Sequence, residues 1–173
     1  MANVSTGSKI PDEIARHIKI PSLSRQFHGD YSLNNNTLHV LQWNVLAQAL
    51  SYTKNNFVRV PDDVVAFENR KWRILEQIIA RRPDLCALEE MDIFNDFLKD
   101  ELPKYGYSCH FVEKINSKCF LFQNDTENFK GPDGFTPKAI LQFPTKDEIG
   151  PNALPSINYP SDHLALEVIF NIQ

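Results

Sequence analysis

Hydrophobic and polar residues first alternate in a regular way over residues 38–44, in the sequence LHVLQWN. This period of about two predicts a half-buried strand. From Asp63 the period lengthens to that of an amphipathic helix, which we expect to end before Pro83. The predicted inner face of the helix holds Phe67, Lys71, Ile74, Leu75, Ile78 and Ile79. The polar residues that fall elsewhere are Glu68, Arg73, Glu76 and Gln77.

A short apolar run, residues 84–88 (DLCAL), follows the helix and predicts a buried strand. Strand, helix and strand in this order form a βαβ unit, which favours parallel pairing and an α/β sandwich. A second short helix is predicted over residues 93–102, with Asp92 as the residue that caps its N-terminus. Residues 107–111 are the next strand candidate.

The second half of the chain is less regular. Residues 138–143 predict a strand, and the alternation over residues 164–170 predicts a closing strand. Residues 145–161 are rich in Pro, Asn and Gly and predict a loop, while residues 123–136 are polar and contain a Gly-Pro-Asp-Gly turn. A stretch of about forty residues therefore carries little patterned core, which is unusual inside a compact domain.

The first 36 residues show no strong period and end in three asparagines. We expect residues 1–36 to form a leader or flexible arm, with one possible helical turn after Pro11. The remainder, residues 37–173, is predicted to be a single α/β domain.

Composition narrows the class of protein only slightly. The chain has 173 residues, of which 42% are hydrophobic and 23% charged, values typical of one globular domain. Its formal net charge of −4 argues against a strong nucleic-acid binder. Cys86, Cys109 and Cys119 fit neither a disulfide framework nor a zinc site, so we expect reduced thiols. With no membrane-length apolar run and no secretory signal visible, we expect a monomer in the cytoplasm, with mitochondria as the second option.

Two polar residues stand at the ends of predicted strands. Asn44 ends the first strand and Glu90 lies just past the second, where ligands gather in α/β folds. A carboxylate in that position suits Mg²⁺, which takes one or two carboxylates together with water and substrate phosphate. Glu89 and Glu90 are adjacent, so on a strand only one of them can face such a site. Taken alone, a glutamate here is more often a solvated strand end.

A second group of candidate residues precedes the closing strand. In Ser161-Asp162-His163, a histidine follows an aspartate directly after a Pro-rich loop. Such an imidazole can serve as a general acid–base or contact a phosphate. Taken alone, the pair is more often part of a solvated surface loop.

Several separate blocks occur in an order that resembles the endonuclease/exonuclease/phosphatase superfamily, and in particular its deadenylase-related branch. The blocks are QWNVL at residues 42–46, RK at 70–71, PDLCALEE at 83–90 and YPSDHL at 159–164. The resemblance implies an α/β sandwich and a Mg²⁺-dependent phosphoester hydrolase. The family's substrates include the 2′-phosphate of NADP(H) and poly(A) RNA, and the acidic net charge favours the small nucleotide.

Roles follow from the resemblance only where residues match. Asn44 corresponds to the family's Asn at the scissile phosphate, and Glu90 to its metal-binding Glu. His163 matches the catalytic His, and Asp162 the Asp before it, which helps to orient the site. Lys114 resembles the Lys that contacts substrate phosphate.

This chain also departs from the family pattern. The family usually has Gln before the metal-binding Glu and Pro after the Lys, whereas this chain has Glu89 and Ile115. The family's central block, with the Gly-Asp-Phe-Asn motif and a later Asp, is absent from the sequence. We therefore expect an incomplete domain, in which the central strands are absent and catalysis is impaired. The alternatives are a catalytically inactive interaction module and an unstable shortened isoform.

Overall fold

The computed structural model describes residues 10–51, 57–112, 135–151 and 153–172, and it shows one five-stranded mixed sheet. The strands are β1 (Phe27–Gly29), β2 (Thr37–Asn44), β3 (Leu85–Glu89), β4 (Phe135–Leu141) and β5 (Leu166–Ile172). The helices are α1 (Asp12–Ala15), α2 (Gln48–Ser51), α3 (Asp62–Val65), α4 (Phe67–Arg81), α5 (Leu98–Glu101) and α6 (Lys146–Ile149). Two 3₁₀ turns, Phe94–Asp96 and Leu102–Tyr105, flank α5.

The strands lie in the order β1-β4-β5-β2-β3. Strands β2 and β3 are parallel and are connected through α4, so the predicted βαβ unit is confirmed. The other pairs are antiparallel, and the predicted strands over residues 138–143 and 164–170 appear as β4 and β5 with shifted ends. The α/β class predicted from the sequence is therefore confirmed.

One face of the sheet is closed by α4. Leu41 and Trp43 of β2, each 1% exposed, belong to the same core cluster as Ile74, Leu75 and Ile78 of the helix, as predicted. The alternation of β2 places these β2 side chains on the covered face. This packing buries a full apolar stripe of α4 and fixes the helix behind the parallel strand pair.

The polar residues Arg73, Glu76 and Gln77 of α4 are also buried, contrary to the prediction that they face elsewhere. Arg73 Nη1 lies 2.9 Å from Glu76 Oε2, and Arg73 Nη2 donates to the carbonyl oxygens of Ile20 and Ile157. The helix is covered on this flank by residues outside the sheet. The periodicity of α4 alone could not reveal that cover, because an ion pair with satisfied donors can be buried on a polar face.

Residues 10–36, which we expected to form a leader or flexible arm, contact the domain in the structure. The helical turn after Pro11 is present as α1, and Ile14 is fully buried in the core cluster. Leu23 is 7% exposed, and β1 pairs antiparallel with β4. Two isolated apolar side chains and a three-residue strand are too few to produce a period in the sequence.

The other face of the sheet is largely uncovered by the described residues. Four of its apolar side chains are between 41% and 56% exposed: Leu85, Ile140, Leu166 and Ile172. Residues 84–88 were predicted to form a buried strand. The strand is present as β3, but the prediction that it is buried was wrong. Strand β3 is also an edge strand in the described part of the chain.

Two further predictions after β3 were wrong. Residues 93–102 do not form one helix, because a 3₁₀ turn and α5 meet at Phe97, whose backbone is not helical (φ −151°, ψ −64°). Asp92 does not cap this segment; its carboxylate accepts from the backbone N–H groups of Gln48 and Ala49, each at 2.9 Å. Residues 107–111 are not a strand, and Tyr107 instead donates its hydroxyl proton to the carbonyl oxygen of Pro83.

The predicted loop over residues 145–161 contains the short helix α6. Thr145 and Glu148 form a reciprocal capping box at its start, because the Thr side chain accepts from the Glu backbone N–H and the Glu side chain accepts from the Thr backbone N–H. Most of residues 123–136, including the Gly-Pro-Asp-Gly turn, lie outside the described residues. In the described ranges, no helix is both long and apolar enough to cross a membrane.

Substitutions on the two faces of β5 test which of its side chains face the core. Ile169 is 1% exposed and Leu166 is 41% exposed. We expect Ile169→Lys to lower the free energy of unfolding by more than about 3 kcal/mol, because it replaces a buried apolar side chain with a charged one. Leu166→Lys should change it by less than about 1 kcal/mol. Urea unfolding of both variants checks this, and equal losses would contradict the register.

The cysteines supply a second test. Burial raises the pKa of the Cys86 thiol to about 12, with a smaller contribution from the carboxylate of Glu167. Because the thiolate is the reactive form, Cys86 should resist iodoacetamide at pH 8, whereas the exposed Cys109 should react. Peptide mapping by mass spectrometry reads each site separately, and labelling in urea is the control. Equal labelling of Cys86 and Cys109 in the folded chain would contradict the burial of Cys86.

Candidate active site

The carboxyl end of β2 turns sharply at Asn44. The half-buried Asn44 side chain accepts, through Oδ1, a hydrogen bond of 3.0 Å from the backbone N–H of Leu46. Leu46 has a φ of +65°, an unusual conformation for a residue with a branched side chain. The Asn44 side chain thus stabilises the turn that its own strand enters, and its orientation is fixed.

Glu90 lies beside this turn, one residue past β3. Its φ is +57°, and its Oε2 accepts from the backbone N–H of Ala47 at 3.3 Å. Oε1 of the same carboxylate makes no hydrogen bond to a described residue. Glu89, by contrast, is exposed and accepts at Oε1 from Gln42 Nε2 at 2.8 Å. The two adjacent carboxylates therefore differ in their surroundings.

Ser161 joins the segment before β5 to the end of β2. Its fully buried hydroxyl donates to the carbonyl oxygen of Asn44 at 2.6 Å and accepts from the backbone N–H of His163 at 3.1 Å. Trp43 Nε1 donates to the carbonyl oxygen of His163 at 2.8 Å. Residues 161–163 are therefore held against β2 by two hydrogen bonds, and a third bond lies within the segment.

Asp162 and His163 form a hydrogen-bonded pair at the surface of this segment. His163 Nδ1 lies 2.9 Å from Asp162 Oδ1, and the histidine side chain is 57% exposed. An aspartate at Nδ1 orients the ring and leaves Nε2 directed away from it. The ring can therefore present Nε2 to a group bound at the end of β2.

The buried guanidinium of Arg70 connects the two loops that carry these residues. Arg70 is 2% exposed, and Nη1 donates to the carbonyl oxygens of Val45 at 2.8 Å and Pro160 at 3.1 Å. Nη2 donates to the carbonyl oxygen of Leu46 at 3.1 Å, and Nε to that of Val65 at 2.8 Å. One side chain from α4 thus fixes the turn after Asn44 and the entry to Ser161.

The described residues offer a limited set of metal ligands. Among them, no group of three or more His, Cys, Asp and Glu side chains has the geometry to hold a metal ion. Mg²⁺ does not need such a cage, because it commonly takes one or two carboxylates and completes its shell with water and phosphate. The Oε1 atom of Glu90 fits that requirement, so the donor set suits Mg²⁺ and does not suit Zn²⁺.

A cavity of about 510 Å³ opens beside Asp162 and His163. Its remaining walls are apolar and come from β4's continuation, α6 and the loop before β5: Phe143, Ile149, Ala153, Leu154 and Leu164. The aspartate–histidine pair thus lies at the junction of a polar strand end and an apolar hollow.

The structure brings four of the five site residues predicted from the sequence to one region. Asn44, Glu90, Asp162 and His163 all lie around the turn after β2. Lys114 lies outside the described residues. Sequence reasoning gave no role to Arg70 or to Ser161. For Arg70, the available signal was its position between Phe67 and Ile74, on the largely apolar face of the helix.

Comparison with other proteins finds relatives that share part of this sequence, although no model of a protein family matches it. The chain is 39% identical to nocturnin of Mus musculus over 121 residues, which is 68% of the chain and 27% of that protein. It is 42% identical to nocturnin of Xenopus laevis over 98 residues, 57% of the chain and 24% of the relative. The chain therefore spans about a quarter of the length of these nocturnins.

A more distant match is the CCR4-Not complex 3′-5′-exoribonuclease subunit Ccr4 of Neurospora crassa. The identity is 34% over 80 residues, covering 45% of the chain and 10% of that protein. Together with the mixed α/β sheet, these matches imply an α/β fold of the endonuclease/exonuclease/phosphatase type. Over part of nocturnin's length, the chain is a relative of that protein.

Removal of the Arg70 guanidinium should loosen both site loops. We expect Arg70→Met to lower the free energy of unfolding by about 3 kcal/mol, because several buried carbonyl oxygens lose their donors. Lys71→Met is the matched control, since Lys71 pairs with a Glu68 side chain that is 78% exposed, and it should cost less than about 1 kcal/mol. Urea unfolding measures the stability of both variants. If Arg70→Met loses no more stability than Lys71→Met, the hydrogen bonds of Arg70 do not hold the two loops.

Proposed function

We propose that this chain is a nocturnin-like, Mg²⁺-dependent phosphoester hydrolase of nucleotide substrates, with activity lowered by the absence of the family's central block. One observation carries the proposal: Asn44, Glu90 and the Asp162–His163 pair surround a single turn at the carboxyl end of β2. An amide, a carboxylate and an oriented imidazole are together the groups that bind and protonate a phosphate ester.

Each group has a definite task in the proposed site. Glu90 would hold Mg²⁺ through Oε1, and the ion would polarise the phosphate and offset its charge. The Oδ1 atom of Asn44 is used by the N–H of Leu46, so the side-chain NH₂ group is left to donate to a phosphate oxygen. His163 would present Nε2 to the transferred phosphoryl group, because Asp162 occupies Nδ1.

This chain lacks the residues that orient the attacking water in the family it resembles. In the family, an Asp and an Asn orient the attacking water. The Gly-Asp-Phe-Asn block and the later Asp that pairs with the final His are both absent from this sequence. Its single Gly-Asp pair ends in Asp30, which lies 3.3 Å from Lys138 in an exposed ion pair. Loss of acid–base assistance costs roughly 10² to 10⁴ in rate, so we expect a slow enzyme.

The proposed substrate is a small nucleotide of the NADP(H) type, with poly(A) RNA as the second option. The chain carries 22 acidic and 18 basic residues, giving its net charge of −4. A protein that tracks a long polyanion needs several cationic contacts to phosphates. Cleavage of the single 2′-phosphate of NADP(H) requires only the contacts of one phosphate group.

A catalytically inactive interaction module is the second candidate. The observation in its favour is the sheet face that the described residues leave uncovered, with Leu85 56% and Leu166 41% exposed. Exposed apolar patches of this kind are typical of protein-binding surfaces. This candidate predicts a cooperative thermal transition without any metal-dependent hydrolysis.

The adjacent glutamates provide the test. We expect phosphate release from NADP(H) to require Mg²⁺ and to fall by at least about 100-fold in Glu90→Gln, because the proposed metal carboxylate is lost. Glu89→Gln should retain the activity, since Glu89 is exposed and bonded to Gln42. Release is measured with and without EDTA.

Three outcomes are informative. Equal loss in both variants would argue for a general charge effect and against a specific site at Glu90. Release that ignores EDTA would contradict metal dependence. No release above the Glu90→Gln level, combined with a cooperative melt, would favour the interaction module.

A further inference from the structure

The apolar cavity beside the Asp162–His163 pair is not used by any step described above. Of the described residues that line it, Asp162 and His163 are the only polar ones. The cavity is shallow and widely open to solvent, and its volume is about 510 Å³. A ligand group in this cavity would lie directly next to a phosphate held at His163.

The aromatic wall of the cavity is exposed yet held in place. Phe143 is 61% exposed and lies two residues past the end of β4. The guanidinium carbon of Arg25 lies 5.7 Å from the centre of the Phe143 ring. Arg25 does not line the cavity, so it supports the ring from outside the hollow. One face of the aromatic ring is therefore available to a ligand.

Arg25 is itself fixed by the ends of two strands. It is 8% exposed, Nε donates to the carbonyl oxygen of Gln142 at 3.0 Å, and Nη2 donates to that of Ala165 at 2.7 Å. These bonds connect the residue before Phe143 to the segment that follows His163. The aromatic wall and the Asp162–His163 pair are thus held in a fixed spatial relation before any ligand binds.

The lining selects the chemistry of the ligand group. Apolar walls provide no donors for a phosphate or for a sugar with many hydroxyl groups, so those groups would lose their hydration without compensation. A flat heteroaromatic ring keeps its polar edge towards solvent while its face stacks on an aromatic side chain. A nucleobase has both properties and is covalently connected to the phosphate.

We propose that this cavity binds the aromatic base of the nucleotide substrate, and that Phe143 is the residue on which the base stacks. The inference deepens the proposed function and rests on a phosphate being bound at the Asp162–His163 pair. It makes Phe143 a specificity-determining residue, and Arg25 a positioning residue that acts through Phe143.

Two phosphate monoesters that differ by the base provide the probe. Adenosine 5′-monophosphate and ribose 5-phosphate are titrated calorimetrically into the whole chain in the presence of Mg²⁺. The intact chain should bind the nucleotide more tightly, and Phe143→Ala should weaken nucleotide binding by roughly five- to 100-fold, the effect of one lost base stack. Binding of ribose 5-phosphate should not change.

The control variants separate stacking from general damage. Phe143→Trp should retain the preference for the nucleotide, because the ring face is kept. Ile157→Ala should have no effect, since Ile157 is also 61% exposed but does not line the cavity. An equal affinity of the intact chain for both probes, undetectable nucleotide binding, or an unchanged preference in Phe143→Ala would overturn the proposal.

A measurement on the unmodified chain covers the case in which Phe143→Ala does not fold. Transferred nuclear Overhauser effects should connect the adenine H2 and H8 protons to the Phe143 ring, and their absence would overturn the proposal. The result is distinguishable from failure of the proposed function. Phe143-dependent binding without phosphate release from NADP(H) would refute the hydrolase and leave the base site standing, and release without Phe143 dependence would do the opposite.

Discussion

The fork of hydrogen bonds from the buried guanidinium of Arg70 is the contact on which the site depends. It joins Val45 and Leu46, which follow β2, to Pro160, which precedes the Ser161-Asp162-His163 segment. Arginine stays charged when buried and presents its donors in a rigid plane, so a single side chain can hold both loops in one geometry. Asn44, Asp162 and His163 lie within three residues of these contacts along the chain, and Glu90 accepts a hydrogen bond from Ala47, the residue after Leu46.

The described residues cover the two faces of the sheet unequally, and the candidate site lies on the covered side. The face that packs on α4 holds Trp43, which is 1% exposed and donates to the carbonyl oxygen of His163. The contacts of Arg70 and Ser161 are buried as well. The opposite face exposes Leu85 and Ile140, and the chain spans about a quarter of the length of the nocturnins it matches. The site therefore rests on the half of the sheet that is covered.

Elements with a strong local period of hydrophobic residues could be predicted from the sequence. Features that depend on a single contact between distant residues could not. The alternation in β2 and the apolar stripe of α4 predicted the parallel βαβ unit correctly. An element that is buried on one face has hydrophobic residues at a regular spacing. Burial of Ile14 and the bond between Asp92 and the start of α2 depend on partners about 30 to 60 residues away, which leave no local pattern. The site residues came from motif resemblance, whereas Ser161 and Arg70 gained roles only from their hydrogen bonds.

The most direct test of the central claim is to locate the metal by paramagnetic broadening of amide signals, with Mn²⁺ in place of Mg²⁺. Because the N–H of Ala47 donates to the Glu90 carboxylate, we expect the amide signals of Ala47 and Leu46 to broaden first and Mg²⁺ to restore them. Broadening that instead centres on another acidic surface, such as Asp62 and Asp63 at the start of α3, with Ala47 unaffected, would contradict it.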